Sequence, residues 1–337
     1  MSSTRKIFYY LILTGSIILI VISFLSLIHD LSLWYSKVLD FPRLQYLITG
    51  IIFLFLFIVL NKKWNLFSII IGIGLCASIV IQSVKILPYF AGSKTVPDAT
   101  EAAADSGNKV SILIANVLIT NKESEKFLKI ISNTTPDMLL VMEVNQWWID
   151  QLQPLKKQYP YTMEYPLDNA YGMALYSKFP LKEKEMRFFQ HEDVPSFHAR
   201  IILPSNEEFY FHGVHPVAPV PSGKYPDNMG RKEVALLKTA NLVAEESLPA
   251  IVAGDFNDVS WSNTSRLFED TGNLNNVRIG RGLYNSFNAN SPILRWPLDH
   301  YFVTAGVSVR HLERLPPFGS DHFPILAEFV IKKNKSM

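Results

Sequence analysis

Two short polar strings in the second half of the chain combine carboxylates, a carboxamide and an imidazole. Gly254-Asp255-Phe256-Asn257 comes at the end of the β-favouring run 251–254, and Ser320-Asp321-His322 comes directly before the apolar run 323–331. Carboxylates hold hard cations and accept protons, while an imidazole exchanges protons near neutral pH or carries positive charge. Side chains that follow a buried strand project from the edge of its sheet, where ligands bind. The two strings therefore predict phosphoryl-transfer chemistry at a sheet edge.

The segments around these strings alternate between strand-like and helix-like patterns. The predicted strands are 110–115, 137–142, 172–177, 197–203, 209–214, 250–253, 299–303, 307–312 and 323–331, and the main predicted helices are 123–132 and 231–246. The polar residues at the ends of these strands are Asn116, Glu143, His215, Asp255 and Asn257, and those at strand starts are Asp299, Asp321 and His322. Since the end of one antiparallel strand lies beside the start of its neighbour, we expect these side chains to share one mouth.

The order of these residues resembles the endonuclease/exonuclease/phosphatase superfamily. The resemblance is carried by six elements in the family order, namely Asn116, Met142-Glu143-Val144, His215, Gly254-Asp255-Phe256-Asn257, Leu298-Asp299-His300 and Ser320-Asp321-His322. It spans residues 108–332. It implies a four-layer α/β sandwich, in which two mixed β-sheets are flanked by helices, and a metal-dependent phosphoesterase activity that uses Mg²⁺ or Mn²⁺.

The resemblance also implies roles for individual side chains. The implied metal ligands are Glu143, Asp321 and Asn116. The implied catalytic residues are Asp255, which activates the attacking water, Asn257 and His215, which contact phosphoryl oxygens, His322, which acts as a base or as a cation, and Asp299, which orients His322. Taken alone, Glu143 also fits a helix cap, residues 255–258 also fit an Asx turn, and His212 and His300 fit structural positions.

A proline-rich loop after His215 adds candidate substrate contacts. Three prolines between residues 216 and 221 stiffen it and hold it extended, as a pocket wall requires. The resemblance also implies a role for Tyr171, because some nucleases of the family use a tyrosine in this region to contact a substrate phosphate. The candidate substrate-binding residues are Asn116, Tyr171, Tyr225, Asn228 and Arg231. Arg231 fits an ordinary exposed helix position equally well.

Three apolar stretches occupy the first ninety residues, at 7–28, 44–60 and 66–84. Because a bilayer crossing takes about 20 apolar residues, residues 1–90 are predicted to form a three-helix transmembrane anchor. A cleavable signal peptide is the rival interpretation of the first stretch, and a soluble helical hairpin is that of the other two. Residues 91–107 are then predicted as an exposed, mobile linker, 108–332 as the catalytic domain and 333–337 as a tail.

The basic residues near these stretches predict how the anchor lies in the membrane. Arg5 and Lys6 precede the first stretch, and Lys62 and Lys63 lie between the second and third. Short segments rich in Lys and Arg mark the cytoplasmic side. Three spans therefore place the domain after Lys85 on the extracytoplasmic side of the plasma (inner) membrane, in a multi-pass protein.

The charge of the catalytic region bears on its substrate. Of 32 Lys and Arg residues, eight precede Asn108, and of 30 Asp and Glu residues, five do, which leaves 24 basic and 25 acidic side chains after it. A protein that grips a polyanionic duplex usually has a basic excess. Together with the tether to a lipid bilayer, this favours a lipid-linked phosphate or pyrophosphate as the phosphorylated substrate. An extracytoplasmic nuclease acting on nucleic acid is one alternative, and an inactive, membrane-tethered binding module is another.

Overall fold

The computed structural model of the protein describes residues 3–28, 37–100, 107–220 and 234–332. The chain divides into two compact units. The first contains the three N-terminal helices. The second contains Ser93–Ala218 and the described residues from 234 onward.

The N-terminal unit consists of α1 (Ser3–Leu25), α2 (Arg43–Leu60) and α3 (Leu66–Ala91). All three helices are long and apolar enough to cross a membrane, with mean hydropathies of 2.4, 2.2 and 2.2. They begin and end within a few residues of the predicted stretches, except that α3 continues past residue 84, through Pro88, to Ala91. Asn65 caps the start of α3 by accepting a hydrogen bond from the Ser68 amide, at 2.9 Å.

A buried polar network connects the three helices of this unit. Arg43, at the start of α2, donates to Asp40, to Gln82 Oε1 of α3 at 3.0 Å and to the Ser26 carbonyl after α1 at 3.0 Å. Gln82 in turn donates to Ser23 Oγ of α1, at 3.1 Å. Because a guanidinium away from water requires acceptors, this network connects the start of α2 to the C-terminal parts of α1 and α3.

The second unit contains two six-stranded sheets. The strands are β1 (Lys109–Asn116), β2 (Met138–Met142), β3 (Tyr161–Tyr165), β4 (Met173–Ser177), β5 (Leu181–Arg187), β6 (Ser196–Ile202), β7 (Glu208–Val214), β8 (Ala250–Asp255), β9 (Asn275–Asn276), β10 (Asp299–Val303), β11 (Val307–Arg314) and β12 (Ile325–Ile331). The helices are α4 (Ser124–Thr134), α5 (Gln146–Leu152), α6 (Val234–Glu245) and α7 (Asn263–Gly272), and a 3₁₀ turn (Gln153–Lys157) follows α5.

Both sheets are mixed. The strand order is β11-β12-β1-β2-β4-β3 in the first sheet and β5-β6-β7-β8-β10-β9 in the second. The pairs β1–β2 and β7–β8 are parallel, and the other neighbours are antiparallel. The predicted arrangement of two mixed sheets flanked by helices is therefore confirmed.

Alternation of side chains along the strands produces the layers. Ile112 and Ile114 of β1 lie in the core between the sheets, whereas Leu113 and Ala115 face a second core shared with α4 and α5. In β8, Ile251 and Ala253 face the central core, while Ala250 and Val252 face a third core shared with α6 and α7. Each central strand is thus apolar on both faces, which explains the short continuous apolar runs in the sequence.

Several elements of this unit escaped prediction because their apolar patterns are short, weak or missing. Residues 182–185 of β5 form an exposed charged run, so this strand carries no alternating pattern. Helix α7 is largely polar and begins at the cap Ser262, which accepts from the Ser265 amide at 3.0 Å. Strand β3 is half exposed, and β9 has only two residues.

Residues 93–100 were predicted to belong to an exposed, mobile linker, and the mobility is wrong for this part. Val96 is only 1% exposed and belongs to the central core. The Val309 amide donates to the Pro97 carbonyl at 2.9 Å, and Arg281 donates to the Val96 carbonyl at 2.7 Å and to Asp98 at 2.6 Å. Although most of its side chains are exposed, the segment is therefore fastened to the second unit.

Candidate active site

Strand pairing places the predicted polar residues at one edge of the sandwich. Asn116 ends β1 opposite Met142, so Glu143 directly follows the neighbouring parallel strand. In the other sheet, Asp255 at the end of β8 pairs with Asp299 at the start of antiparallel β10. His215 follows β7, which runs parallel to β8. The topology thus places polar ends from both sheets close together.

Asn116 connects the two sheets at this edge. Its Nδ2 donates to Glu143 Oε1 at 2.8 Å and to Asp255 Oδ2 at 3.1 Å, while its Oδ1 accepts from the Leu118 amide at 3.0 Å. The side chain is buried, so these contacts are shielded from water. One carboxamide therefore fixes the separation of two carboxylates that are far apart in the sequence.

Glu143 is held in a constrained position. Its φ of 61° is in the left-handed region, which a non-glycine residue adopts at an energetic cost. Its Oε2 accepts from the Ile119 amide at 3.3 Å. The helix-cap interpretation is wrong, because Asn145 caps α5 by accepting from the Trp148 amide at 3.1 Å. Burial raises the pKa of Glu143, and the hydrogen bond from Asn116 opposes that rise.

Asp255 depends on the glycine before it. Gly254 has a φ of +147°, and a Cβ at this position would lie 1.9 Å from the Val214 carbonyl oxygen of the adjacent strand. Only glycine permits this approach of β7 to β8. Asp255 itself is fully buried, and its Oδ1 accepts from the Asn257 amide at 2.8 Å. Burial raises the pKa of Asp255, while the nearby His322 lowers it.

His322 lies between two carboxylates. Its Nδ1 is 2.7 Å from Asp299 Oδ2, and its Nε2 is 3.6 Å from Asp255 Oδ2. Burial alone would lower the pKa of His322, but Asp299 and Asp255 outweigh that effect and raise it to about 10. Of the two roles that the sequence left open, the cation is therefore favoured at neutral pH, since the ring is protonated.

His215 and Tyr171 form the neighbouring wall. His215 Nε2 is 3.8 Å from Asp255 Oδ2, and the Tyr171 ring centroid is 5.2 Å from that of His215. Burial lowers the pKa of His215 to about 4, and the charge of Asp255 opposes this. His215 is consequently neutral at pH 7 and can act on a ligand only as an uncharged hydrogen-bonding group.

The remaining predicted residues differ in how they relate to this cluster. Asn257, with a φ of 52°, donates from Nδ2 to the Pro216 carbonyl at 2.9 Å and so fixes the start of the proline-rich loop. Asp321 adjoins His322, and its buried Oδ1 has no hydrogen-bond partner among the described residues. The candidate substrate contacts Tyr225, Asn228 and Arg231 lie outside the described residues.

The cluster has the donor set that a hard divalent cation requires. Carboxylate oxygens of Asp255 and Asp299 and a ring nitrogen of His322 lie within 4.8 Å of one another, but the protonated ring itself supplies no ligand. Glu143 supplies a further, half-buried carboxylate. In the described part of the chain it has no Lys or Arg ion pair, and the buried Asp299 Oδ1 and Asp321 Oδ1 have no hydrogen-bond donor. Mg²⁺ accepts one or two such carboxylates together with water and phosphate oxygens. The residues therefore fit a magnesium-type ion.

Two serines that the sequence analysis gave no role support His322 and Asp299. Ser320 Oγ donates to the Asn116 carbonyl at 2.8 Å and accepts from the His322 amide at 3.0 Å. Ser286 Oγ accepts from the Asp299 amide at 3.0 Å. Ser320 belongs to the motif Ser320-Asp321-His322, so its position in the sequence could have indicated a role beside His322. Ser286 lies in the loop before β10, and nothing in the surrounding sequence marks it.

His300 and His212 have the structural surroundings that the sequence analysis described. His300 Nε2 is 2.8 Å from the Asp258 carbonyl and its Nδ1 is 2.9 Å from Arg278, with burial and that guanidinium holding its pKa well below the ordinary value. His212 contacts His198 at 2.7 Å and Glu246 at 3.0 Å. Both rings have their nitrogens occupied by protein groups.

Comparison with known protein families agrees with this geometry. The sequence model of the Endonuclease/Exonuclease/phosphatase family matches residues 113–322, which include all six motifs. The chain belongs to this family. Its members are metal-dependent hydrolases, so the chain is a hydrolase of the same class.

Solved structures share the fold of this family member at low sequence identity. The human Nocturnin catalytic domain with bound sulfate has 19% identity and a TM-score of 0.54, covering 68% of this chain and 97% of its own. D. rerio TDP2 complexed with single strand DNA product has 17% identity and a TM-score of 0.52, and the match covers 67% of this chain and 99% of the TDP2 chain. An endonuclease/exonuclease/phosphatase family protein from Bacteroides thetaiotaomicron has 18% identity and a TM-score of 0.54, and the match covers 68% of this chain and 100% of that protein's chain. No curated protein matches the chain.

Proposed function

We propose that the protein is a membrane-anchored, divalent-metal-dependent phosphoesterase that hydrolyses a lipid-linked phosphate or pyrophosphate by in-line attack of water. The observation that carries the proposal is the bridge from Asn116 to Glu143 and Asp255, with His322 and Asp299 beside it. Two buried carboxylates, Asp255 and Asp299, the half-buried Glu143 and a protonated imidazole suit a substrate that is itself an anion bound with a cation.

Each side chain of the cluster has a chemical task in this proposal. Asp255 takes a proton from water as the water oxygen bonds to phosphorus, and its raised pKa makes it a better base near neutral pH. The bond to the leaving oxygen on the opposite side of phosphorus breaks, and a phosphate leaving group departs as an anion. His322 Nε2 donates to a phosphoryl oxygen, and Asp299 keeps the ring oriented and charged.

Glu143 and Asp321 would hold the metal ion. Asn116 would position Glu143 instead of binding the ion, because its Oδ1 accepts from the Leu118 amide and its Nδ2 faces the carboxylates. Mg²⁺ or Mn²⁺ bound there supplies charge neutralisation for the phosphoryl oxygens. His215, as a neutral donor, and Asn257 would position those oxygens. Tyr171, 5.2 Å from His215 between ring centroids, would contact the phosphate, as would Tyr225, Asn228 and Arg231 from the proline-rich loop.

The membrane assignment supports the lipid-linked substrate. The three apolar helices tether the hydrolase to a bilayer, where lipid substrates are concentrated. The basic residues around the helices favour an extracytoplasmic catalytic domain in the plasma membrane. We propose residues 1–90 as the anchor and 108–332 as the catalytic domain. Residues 93–100 belong with the catalytic domain as well, because they form hydrogen bonds with it.

A substrate panel tests the proposal with the full-length protein in detergent. The panel contains a polyprenyl pyrophosphate, phosphoinositides, sphingomyelin and oligonucleotides, each assayed with Mg²⁺ and with chelator. We expect Mg²⁺-dependent release of phosphate from the lipid pyrophosphate. Cleavage of oligonucleotides without lipid hydrolysis would replace the lipid proposal with the nuclease alternative. Absence of any turnover with an intact fold would support the inactive binding module.

A further inference from the structure

Two arginines beside the cluster share one aromatic ring. The guanidinium carbon of Arg314, at the end of β11, lies 4.4 Å from the Phe323 ring centroid, and that of Arg295, in the loop before β10, lies 5.0 Å from it. Phe323 directly follows His322 in the chain. Two positive groups thus lie next to the residue that we place on the phosphoryl oxygens.

Neither arginine is neutralised by the part of the protein that the structure describes. Arg314 Nη1 donates to the Asn285 carbonyl at 3.0 Å, and Arg295 Nε donates to the Ser291 carbonyl, but neither forms an ion pair with a described carboxylate. Burial lowers the pKa of Arg314, and the charge of Arg295 lowers it further. The two guanidiniums therefore leave positive charge that an anionic ligand can neutralise.

The loop that carries Arg295 lies against the catalytic histidine. The Phe323 amide donates to the Ser286 carbonyl at 2.7 Å, and the Phe287 ring centroid is 5.0 Å from that of His322. Trp296 stacks on Phe287 with 6.2 Å between centroids, and the Phe287 amide donates to the Trp296 carbonyl at 2.9 Å. The two ends of the loop are therefore paired beside His322, which places Arg295 at the rim of the site.

The same loop exposes an apolar pair next to Arg295. Ile293 is 73% exposed and Leu294 is 51% exposed, which is unusual for two adjacent large apolar side chains on a polar domain surface. A cation pair with an apolar pair beside it is complementary to an amphiphilic anion, whose charged group and hydrocarbon are joined. It is not complementary to a soluble anion, which would leave the apolar pair in water.

We infer that Arg295 and Arg314, supported by Phe323, form a second anion subsite for the group adjacent to the scissile phosphate, and that Ile293 and Leu294 contact the hydrocarbon of the same ligand. This inference rests on the proposed function and narrows its substrate class to lipids with two adjacent anionic groups, such as a lipid pyrophosphate. The planar guanidinium forks suit the oxygens of a phosphate group better than lysines would.

Binding and turnover together test this subsite. The full-length protein in detergent, with chelator to prevent turnover, is titrated with inorganic pyrophosphate and with a long-chain polyprenyl pyrophosphate by calorimetry. We expect Arg295→Gln and Arg314→Gln each to lower the affinity for both ligands about tenfold. The double change Ile293→Ser with Leu294→Ser should lower the affinity only for the polyprenyl pyrophosphate. With Mg²⁺, the same arginine variants should raise KM and leave kcat within about twofold.

Matched controls distinguish a subsite from a general charge effect. Arg310→Gln removes an arginine of the same strand that is paired with Glu328 at 3.3 Å, and Phe188→Ser removes another exposed apolar side chain. Both controls should bind like the unchanged protein. Equal weakening by Arg310→Gln, or unchanged binding in Arg295→Gln and Arg314→Gln, would overturn the subsite. Arginine-dependent binding without any hydrolysis would keep the subsite and end the proposed function.

Discussion

Replacing Asp299 by asparagine tests the central electrostatic argument of the site. In the protein, the pKa of His322 is raised from 6.5 to about 10, which corresponds to about 5 kcal/mol in favour of the imidazolium. Asp299 Oδ2 is 2.7 Å from Nδ1, while Asp255 Oδ2 is 3.6 Å from Nε2. Since Coulomb energy falls with distance and the carboxylates must also offset the opposing effect of burial, Asp299 contributes at least roughly 3 kcal/mol.

Asp299→Asn keeps a hydrogen-bond acceptor beside the ring but removes this charge. We expect the pKa of His322 to fall to about 8, so that the imidazolium is lost at a lower pH. Turnover at pH 7 should fall by roughly a hundredfold, because the ring is also less well oriented. The alkaline limb of the kcat profile should move to lower pH by about two pH units.

The assay is kcat as a function of pH at saturating Mg²⁺, for the unchanged protein, Asp299→Asn and the control Asp150→Asn. Asp150 is an exposed carboxylate that accepts from Gln146, so its profile should match that of the unchanged protein. Thermal unfolding of each variant checks that the fold is retained. An alkaline limb that does not move, or a rate that rises with pH through the same range, would refute the cationic role of His322.

Four further outcomes are expected. Asp255→Ala and His322→Ala should each lower turnover by on the order of a hundredfold or more without unfolding the protein, measured by kcat and circular dichroism. Glu143→Gln should raise the Mg²⁺ concentration for half-maximal activity by about tenfold or more, followed by metal titration. Burial raises the pKa of Glu269 above 4.5 to about 8, so this carboxyl stabilises the fold below pH 4.5 and loses that contribution as the pH rises to about 8. Glu269→Gln should therefore raise the free energy of unfolding by on the order of 2 kcal/mol at pH 8 and change it little at pH 4, in chemical denaturation. A soluble fragment that begins at residue 93 should melt at a higher temperature than one that begins at 108, because only the first retains the buried Val96.

The strands that carry the site were predictable because both of their faces are buried. Strand β10 has the bounds predicted for it, and β1, β7 and β8 differ by one or two residues, since each is a short apolar run that stops at a polar residue. Strand β5 was not predictable, because its charged side chains face solvent on an outer strand of the sheet and leave no alternation. Helix α7 has too few apolar positions to show a helical period.

The members of the site were visible in the sequence, but their contacts were not. That Asp255 faces Asp299 follows from the register of β8 against β10, which no local pattern specifies. The choice between base and cation for His322 depends on two distances, 2.7 and 3.6 Å, and on burial, all of which arise only in the fold. The role of Ser286 depends on a loop that returns to β10, and serine is too common in loops to signal this.

In the proposed membrane anchor, the acceptors of Arg43 would affect how the chain enters a lipid bilayer during its synthesis. A lone guanidinium in hydrocarbon is costly for a single segment. Here two acceptors, the Ser26 carbonyl and the Asp40 carboxylate, are translated before Arg43, while Gln82 is translated 39 residues after it. The helix that starts at Arg43 gains its complete set of partners only once the third helix has left the ribosome. We therefore expect the three segments to enter the bilayer together rather than one at a time.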